Sequence, residues 1–146
     1  MTVEITPLES VTSDVVEAFA RLLPQLSASA PEIGETELKR LTQWPGATVL
    51  LARLDGRIVG TLTLVVFPIP SGTRAWIEDV VVDSSARGHG VGSALVHHAL
   101  ALAREAGART VDLTSRPSRV FAHRLYESVG FAVRDSRLYR YELARP

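Results

Sequence analysis

The apolar and polar positions change period several times along the chain. Val3-Glu4-Ile5-Thr6 alternates, as a strand with one buried face does, and Pro7 ends it. From Thr12 or Ser13, either of which can cap a helix, the spacing turns helical, with Val15, Val16, Phe19, Leu22, Leu23 and Leu26 on one side. Pro24 should bend or end that helix, because it has no N–H and its ring clashes with the preceding turn. A small-residue loop from Ser27 to Gly34 follows, and Glu35 to Trp44 predicts a shorter helix stopped by Pro45-Gly46. Thr48 to Leu54 and Arg57 to Phe67 read as strands joined by Asp55-Gly56, a two-residue hairpin signal. After the loop Pro68 to Gly72, Thr73 to Val82 predicts a fourth strand whose apolar second half argues for a central position. Val91 to about Ala106 predicts a helix with Leu95, Ala99, Leu102 and Ala106 on its apolar face, and Gly107 ends it. Thr110 to Thr114 predicts a fifth strand. Ser118 should cap a helix running through Val129, which Gly130 terminates. Phe131 to Arg134 and Leu138 to Glu142 then alternate like a closing hairpin.

This order predicts an α/β (α+β) chain with a mixed central sheet of about seven strands and about four helices. At 146 residues, of which 46% are hydrophobic, it fits one domain with a real core. There is no cysteine, which excludes disulfides, cysteine–zinc sites and thiolate nucleophiles. Sixteen basic residues balance sixteen acidic ones, so a broad nucleic-acid surface is not expected. The N-terminus lacks the basic and apolar regions of a signal peptide, and no apolar run approaches a membrane span. A cytoplasmic protein with no membrane partner is expected.

The segment Ile77-Glu78-Asp79-Val80-Val81-Val82 leads through Asp83-Ser84-Ser85-Ala86 into Arg87-Gly88-His89-Gly90-Val91-Gly92-Ser93 and a helix. A helix N-terminus offers unpaired N–H groups and roughly half a positive charge. Glycines let the backbone turn with positive φ and approach a ligand, so successive N–H groups can line an anion-binding concavity. A plain structural turn is the alternative. A dinucleotide-binding fingerprint is a second rival, but Gly88, Gly90 and Gly92 give G-x-G-x-G and not G-x-G-x-x-G.

Together with Leu125-Tyr126-Glu127-Ser128-Val129-Gly130-Phe131, the glycine loop resembles the paired signatures of the GCN5-related N-acetyltransferase (GNAT) superfamily. The order of elements is similar as well, over nearly the whole chain. The stretch Ile77 to Val82 is similar to the branch that includes glucosamine-6-phosphate N-acetyltransferases. The resemblance implies a sheet splayed between its fourth and fifth strands, with acetyl-CoA in the wedge and no metal. It implies that Arg87 to Ser93 hold the pyrophosphate, that the backbone of Val80, Val81 and Val82 holds the pantetheine arm, and that an N–H near Val80 polarises the thioester carbonyl. It implies Glu78 or Asp79 as the base and Tyr126 as the general acid. The family's best-known base lies two residues earlier, where this chain has Trp76. Where many relatives have an asparagine that contacts the cofactor, this chain has Arg119, which could reach a phosphate or lie on a solvated face.

Among the remaining residues, His97 and His98 are adjacent on a helix and cannot share a face, which argues against a metal pair. Trp44 and Trp76 are expected to pack. Arg116, Arg119 and Arg124 could recognise an anionic acceptor. Three functions compete: acetylation of a small-molecule amine, acetylation of a protein N-terminus or lysine, and a non-catalytic acyl-CoA-binding module. The C-terminal strands could support a homodimer.

Overall fold

The computed structural model describes residues 2–144. Five strands, β1 (Val3–Pro7), β2 (Ala47–Leu54), β3 (Arg57–Ile69), β4 (Gly72–Val82) and β5 (Thr110–Asp112), form one sheet in chain order. The first three pairings are antiparallel and β4–β5 is parallel. Four helices complete the fold: α1 (Ser13–Leu26), α2 (Glu35–Gln43), α3 (Val91–Glu105) and α4 (Val120–Val129). No helix among the described residues is long and apolar enough to cross a membrane.

Alternation along β2 sorts the core into two layers. Val49 and Leu51 face α1 and α2, packing with Val15, Phe19, Leu22 and Leu38. Leu50, Ala52 and Leu54 face the other way, packing with Val91, Leu95, Ala99 and Ala103 of α3. Ala106, expected on that apolar face, is exposed, and Val91, Val96 and Ala103 take its place. The hairpin at Asp55-Gly56 forms with φ of 51° and 81°, both in the left-handed region that a tight turn of this kind requires. The helix containing Pro24 ends two residues after it, at Leu26. Arg119, not Ser118, is the N-cap of α4.

The expected seven strands are five among the described residues. Phe131 to Arg134 and Leu138 to Glu142 form no ladder, and Val133, Leu138, Tyr139, Tyr141 and Leu143 are exposed. Alternation says that a segment can bury one face, but a strand also needs a partner of comparable length. The neighbouring β5 offers only three residues.

Two irregularities position the site. The register between β4 and β5 holds three pairs, Arg74 with Thr110, Ala75 with Val111 and Trp76 with Asp112. Beyond Trp76 the outer edge of β4 has no partner strand among the described residues, so its apolar second half is not the doubly flanked strand that the sequence predicts. The second irregularity is a bulge. Thr61 pairs with Val81 and Thr63 with Glu78, so Leu62 of β3 faces two residues, Asp79 and Val80. Asp79 takes φ 49°, in the left-handed region. The extra residue resets the alternation: Val80 and Val82 join Ala75 and Ile77 on the α3 side, and Val81 packs on the α1 side.

Leu95 is fully buried between α3 and the sheet, whereas Leu143 is 94% exposed. Leu95→Ala should therefore lower the unfolding free energy by about 2–5 kcal/mol. Leu143→Ala should leave it within about 0.5 kcal/mol. Urea unfolding followed by circular dichroism checks both, and a comparable loss at Leu143 would mean that the C-terminal segment is part of the core.

Candidate active site

The glycine loop is shaped by local backbone demands. β4 ends at Val82, and Asp83 donates its N–H to Val59 O at 2.7 Å. A single 3-10 turn, Ser84–Ala86, follows. Gly88 and Gly90 have φ of 85° and 75°, and a Cβ at either would meet nothing within 4 Å. They are glycine because of conformation, and the space beside them is open. His89 is exposed, with Nδ1 3.1 Å from Ala86 O across the turn. Gly90 is the N-cap of α3 and supplies no side-chain cap. The first N–H groups of α3, at Val91, Gly92 and Ser93, therefore have neither intrahelical nor side-chain partners. With exposed Arg87 at the loop's mouth, these groups suit a phosphate.

Gly92 is glycine for a different reason. A Cβ there would lie 3.0 Å from Leu125 Cδ2 and 3.8 Å from Val82 Cγ2. The end of β4, the first turn of α3 and the middle of α4 thus meet at one point. Leu125 precedes Tyr126, so this close approach links the two sequence signatures in space.

The segment around Tyr126 closes as a helix cap. Gly130, at φ 118°, donates to Tyr126 O at 3.2 Å and Glu127 O at 3.1 Å, and Phe131 N donates to Tyr126 O at 2.9 Å. This is a Schellman pattern, in which the residue after the glycine packs against the one five before it. The Phe131 and Tyr126 rings meet edge to face at 5.9 Å. Tyr126 is buried overall, and its hydroxyl makes no hydrogen bond to another described residue but is not itself fully buried. Burial raises its pKa above the ordinary 10.0, opposed by the positive charge of Arg119. Arg119 itself is exposed at the start of α4.

Glu78 and Asp79 sit at the bulge. Strand alternation would send them to opposite faces, but both are exposed. Partial desolvation of the Glu78 carboxyl, then the negative charge of Asp79, raise its pKa above 4.5, and Arg140 opposes them. Arg140 comes from the segment expected to be a strand, and the sequence held no signal that its charge would act on Glu78. A second missed group is Asp83, buried and bonded to Arg21 of α1. Its Asp-x-Ser spacing to Ser85 hints at a local turn, but nothing local points to Arg21.

Trp44 is 66% exposed, which corrects the expectation that it packs; it is the C-cap residue of α2, past the helix's buried face. Trp76 is half-buried, as a packing residue can be. His98 lines a cavity of about 570 Å³ between α3 and the sheet, together with Leu64, Val66 and Leu102.

Residues 15–131 match the family model described as "Acetyltransferase (GNAT) family". The chain is 29% identical over 145 residues to a glucosamine 6-phosphate N-acetyltransferase of Trypanosoma brucei brucei, covering 86% of this chain and 97% of that protein. It is 35% identical over 100 residues to the N-alpha-acetyltransferase MAK3 of Arabidopsis thaliana, covering 68% of this chain and about half (52%) of that protein. A crystal structure of a Trypanosoma brucei acetyltransferase superposes with a TM-score of 0.77 at 30% identity, over 97% of this chain and 100% of the other. The uncapped, glycine-opened helix start, the interrupted β4–β5 pairing and these likenesses lead to one conclusion: the chain belongs to the GNAT family of acetyltransferases.

Proposed function

We propose that this acetyltransferase moves an acetyl group from acetyl-CoA to a primary amine on a small molecule, by direct attack of the amine on the thioester. The observation that carries the reading is the unpaired outer edge of β4 beyond Trp76, a stretch that carries Glu78 and Asp79 and leads through the glycine loop to the uncapped start of α3. An extended ligand can add to such an edge by main-chain hydrogen bonds. In this reading the backbone of Val80, Val81 and Val82 takes the pantetheine arm. The N–H groups of Gly88, His89, Gly90, Val91, Gly92 and Ser93 take the diphosphate, with Arg87 at the mouth and Arg119 reaching a cofactor phosphate. A backbone N–H at the bulge near Val80 stabilises the oxyanion that forms at the thioester carbon.

An amine of pKa about 10 is mostly protonated at neutral pH, so a base must take its proton before attack. Glu78 fills that role, directly or through one water, and its raised pKa makes it a better proton acceptor. Asp79 assists by its charge. Tyr126 then faces the departing sulfur. Its raised pKa keeps it protonated, but a thiol of pKa about 8.5 is the stronger acid. Full transfer from Tyr126 to the thiolate is therefore uphill. Its contribution is a hydrogen bond that strengthens as charge builds on sulfur, so losing it slows the reaction without stopping it.

Coverage favours a small acceptor. The chain matches the aminosugar-phosphate acetyltransferase over nearly all of that protein's length, and the protein N-alpha-acetyltransferase over half. A thiol-release assay with acetyl-CoA and two amine panels, small amines including aminosugar phosphates and peptides with free N-termini or lysines, tests the proposal. Release with a small amine is expected. Release with peptides alone would make the acceptor a protein, and tight acetyl-CoA binding with no release from any amine would make this a non-catalytic module.

Two variants test the roles. Glu78→Gln should lower kcat by about 100-fold and remove the acidic limb of its pH profile. In the unsubstituted enzyme that limb should lie above pH 4.5, because the base works only when deprotonated and its pKa is raised. Tyr126→Phe should lower kcat by about tenfold or more with the dissociation constant of CoA unchanged within about twofold. Unchanged turnover in Tyr126→Phe would end its assignment.

A further inference from the structure

Immediately before the glycine loop, α1 grips the chain. Asp83 is buried, and both of its carboxylate oxygens are used. Oδ1 accepts from Ser85 N at 3.1 Å and from Ser85 Oγ at 3.0 Å, and Oδ2 accepts from Arg21 Nη1. Arg21 Nη2 also donates to Ile58 O at 3.0 Å, tying the same guanidinium to the start of β3. One turn further along α1, Gln25 Oε1 accepts from Ser84 N at 2.9 Å, while Gln25 Nε2 donates to Arg21 O at 3.2 Å. The backbone hydrogen bond from Ser85, offset by burial and helped by Arg21, holds the Asp83 carboxyl below its usual range, so it is ionised at neutral pH.

We propose that Arg21, Gln25 and Asp83 are positioning residues for the acyl donor, forming a brace that fixes the backbone conformation of the diphosphate-binding loop. The inference rests on the reading of Arg87 to Ser93 as that loop. The N–H groups of Ser84 and Ser85 are bound by the brace, whereas the N–H groups at the start of α3 are left for a ligand. The brace thus sets the point from which the loop departs, and the two left-handed glycines set its path. A buried ion pair adds little net stability when its desolvation is counted, but it fixes geometry when further hydrogen bonds hold both partners, as Ser85 and Ile58 do here. A binding site made of backbone N–H groups has only geometry to offer, since an amide displaced by an ångström no longer reaches its phosphate oxygen. The link also joins the donor loop to a helix on the opposite face of the sheet, far from Tyr126.

Calorimetric titration of the purified protein with coenzyme A, and with pantetheine, which lacks the diphosphate, separates positioning from general damage. The unsubstituted protein should bind coenzyme A far more tightly than pantetheine. Asp83→Asn should weaken coenzyme A binding by about tenfold, and Gln25→Ala, at an exposed position that spares the fold, by about threefold. In both variants the affinity for pantetheine should stay within about twofold, so the preference for the diphosphate-bearing ligand shrinks. Equal losses for the two ligands, or no loss in Gln25→Ala with its melting temperature preserved, would overturn the brace. A lack of preference in the unsubstituted protein would overturn the diphosphate reading of the loop, and the brace with it.

Discussion

The open edge exists because β4 continues where β5 does not. After three paired residues the two strands part, and the rest of β4 presents backbone N–H and C=O groups along an open edge. Such an edge is a liability in most sheets, since it invites pairing with other chains. Along that stretch the pairing with β3 is interrupted by the bulge at Asp79 and Val80, which twists the strand. A non-glycine residue held at positive φ costs about 1 kcal/mol or more, though aspartate tolerates it better than most. That strain sits where the reaction is proposed to occur and nowhere else along β4.

The two motifs that identify the family are parts of one junction. Gly92 lets α4 approach the first turn of α3 until Leu125 lies against it, and Gly130 stops α4 so that Phe131 folds back on Tyr126. The spacing of the second motif is the spacing of a Schellman cap, and the tyrosine in it is placed by the cap's own hydrophobic contact. The ring is buried, and its hydroxyl makes no hydrogen bond to another described residue. Burial raises the pKa of that tyrosine above its ordinary value, and the charge of Arg119 opposes the rise.

What was legible in the sequence was local. Gly88, Gly90 and Gly130 announce positive φ, Asp55-Gly56 announces its hairpin, and the helical spacing of Val15, Phe19 and Leu22 announces the face that α1 buries. What was not legible was set by register and by distant partners. Nothing in Glu78-Asp79 says that an extra residue is inserted there, because a bulge is a mismatch between two strands. Arg21 and Asp83 lie sixty-two positions apart, and each alone reads as an ordinary charged residue. The alternation after Phe131 was real, but β5 is too short to give it a ladder. Trp44 shows the same limit: a large apolar side chain is expected inside, and only the surrounding fold decides otherwise.

The central claim is that the open edge of β4 and the start of α3 together hold the acyl donor. Amide hydrogen exchange, read residue by residue with and without saturating coenzyme A, tests it most directly. The account predicts slowed exchange at Val80, at Val82 and from Gly88 to Ser93, with little change in β1, β2 or α2. Protection confined to other segments, such as the cavity beside His98, or none at all despite saturation, would contradict it.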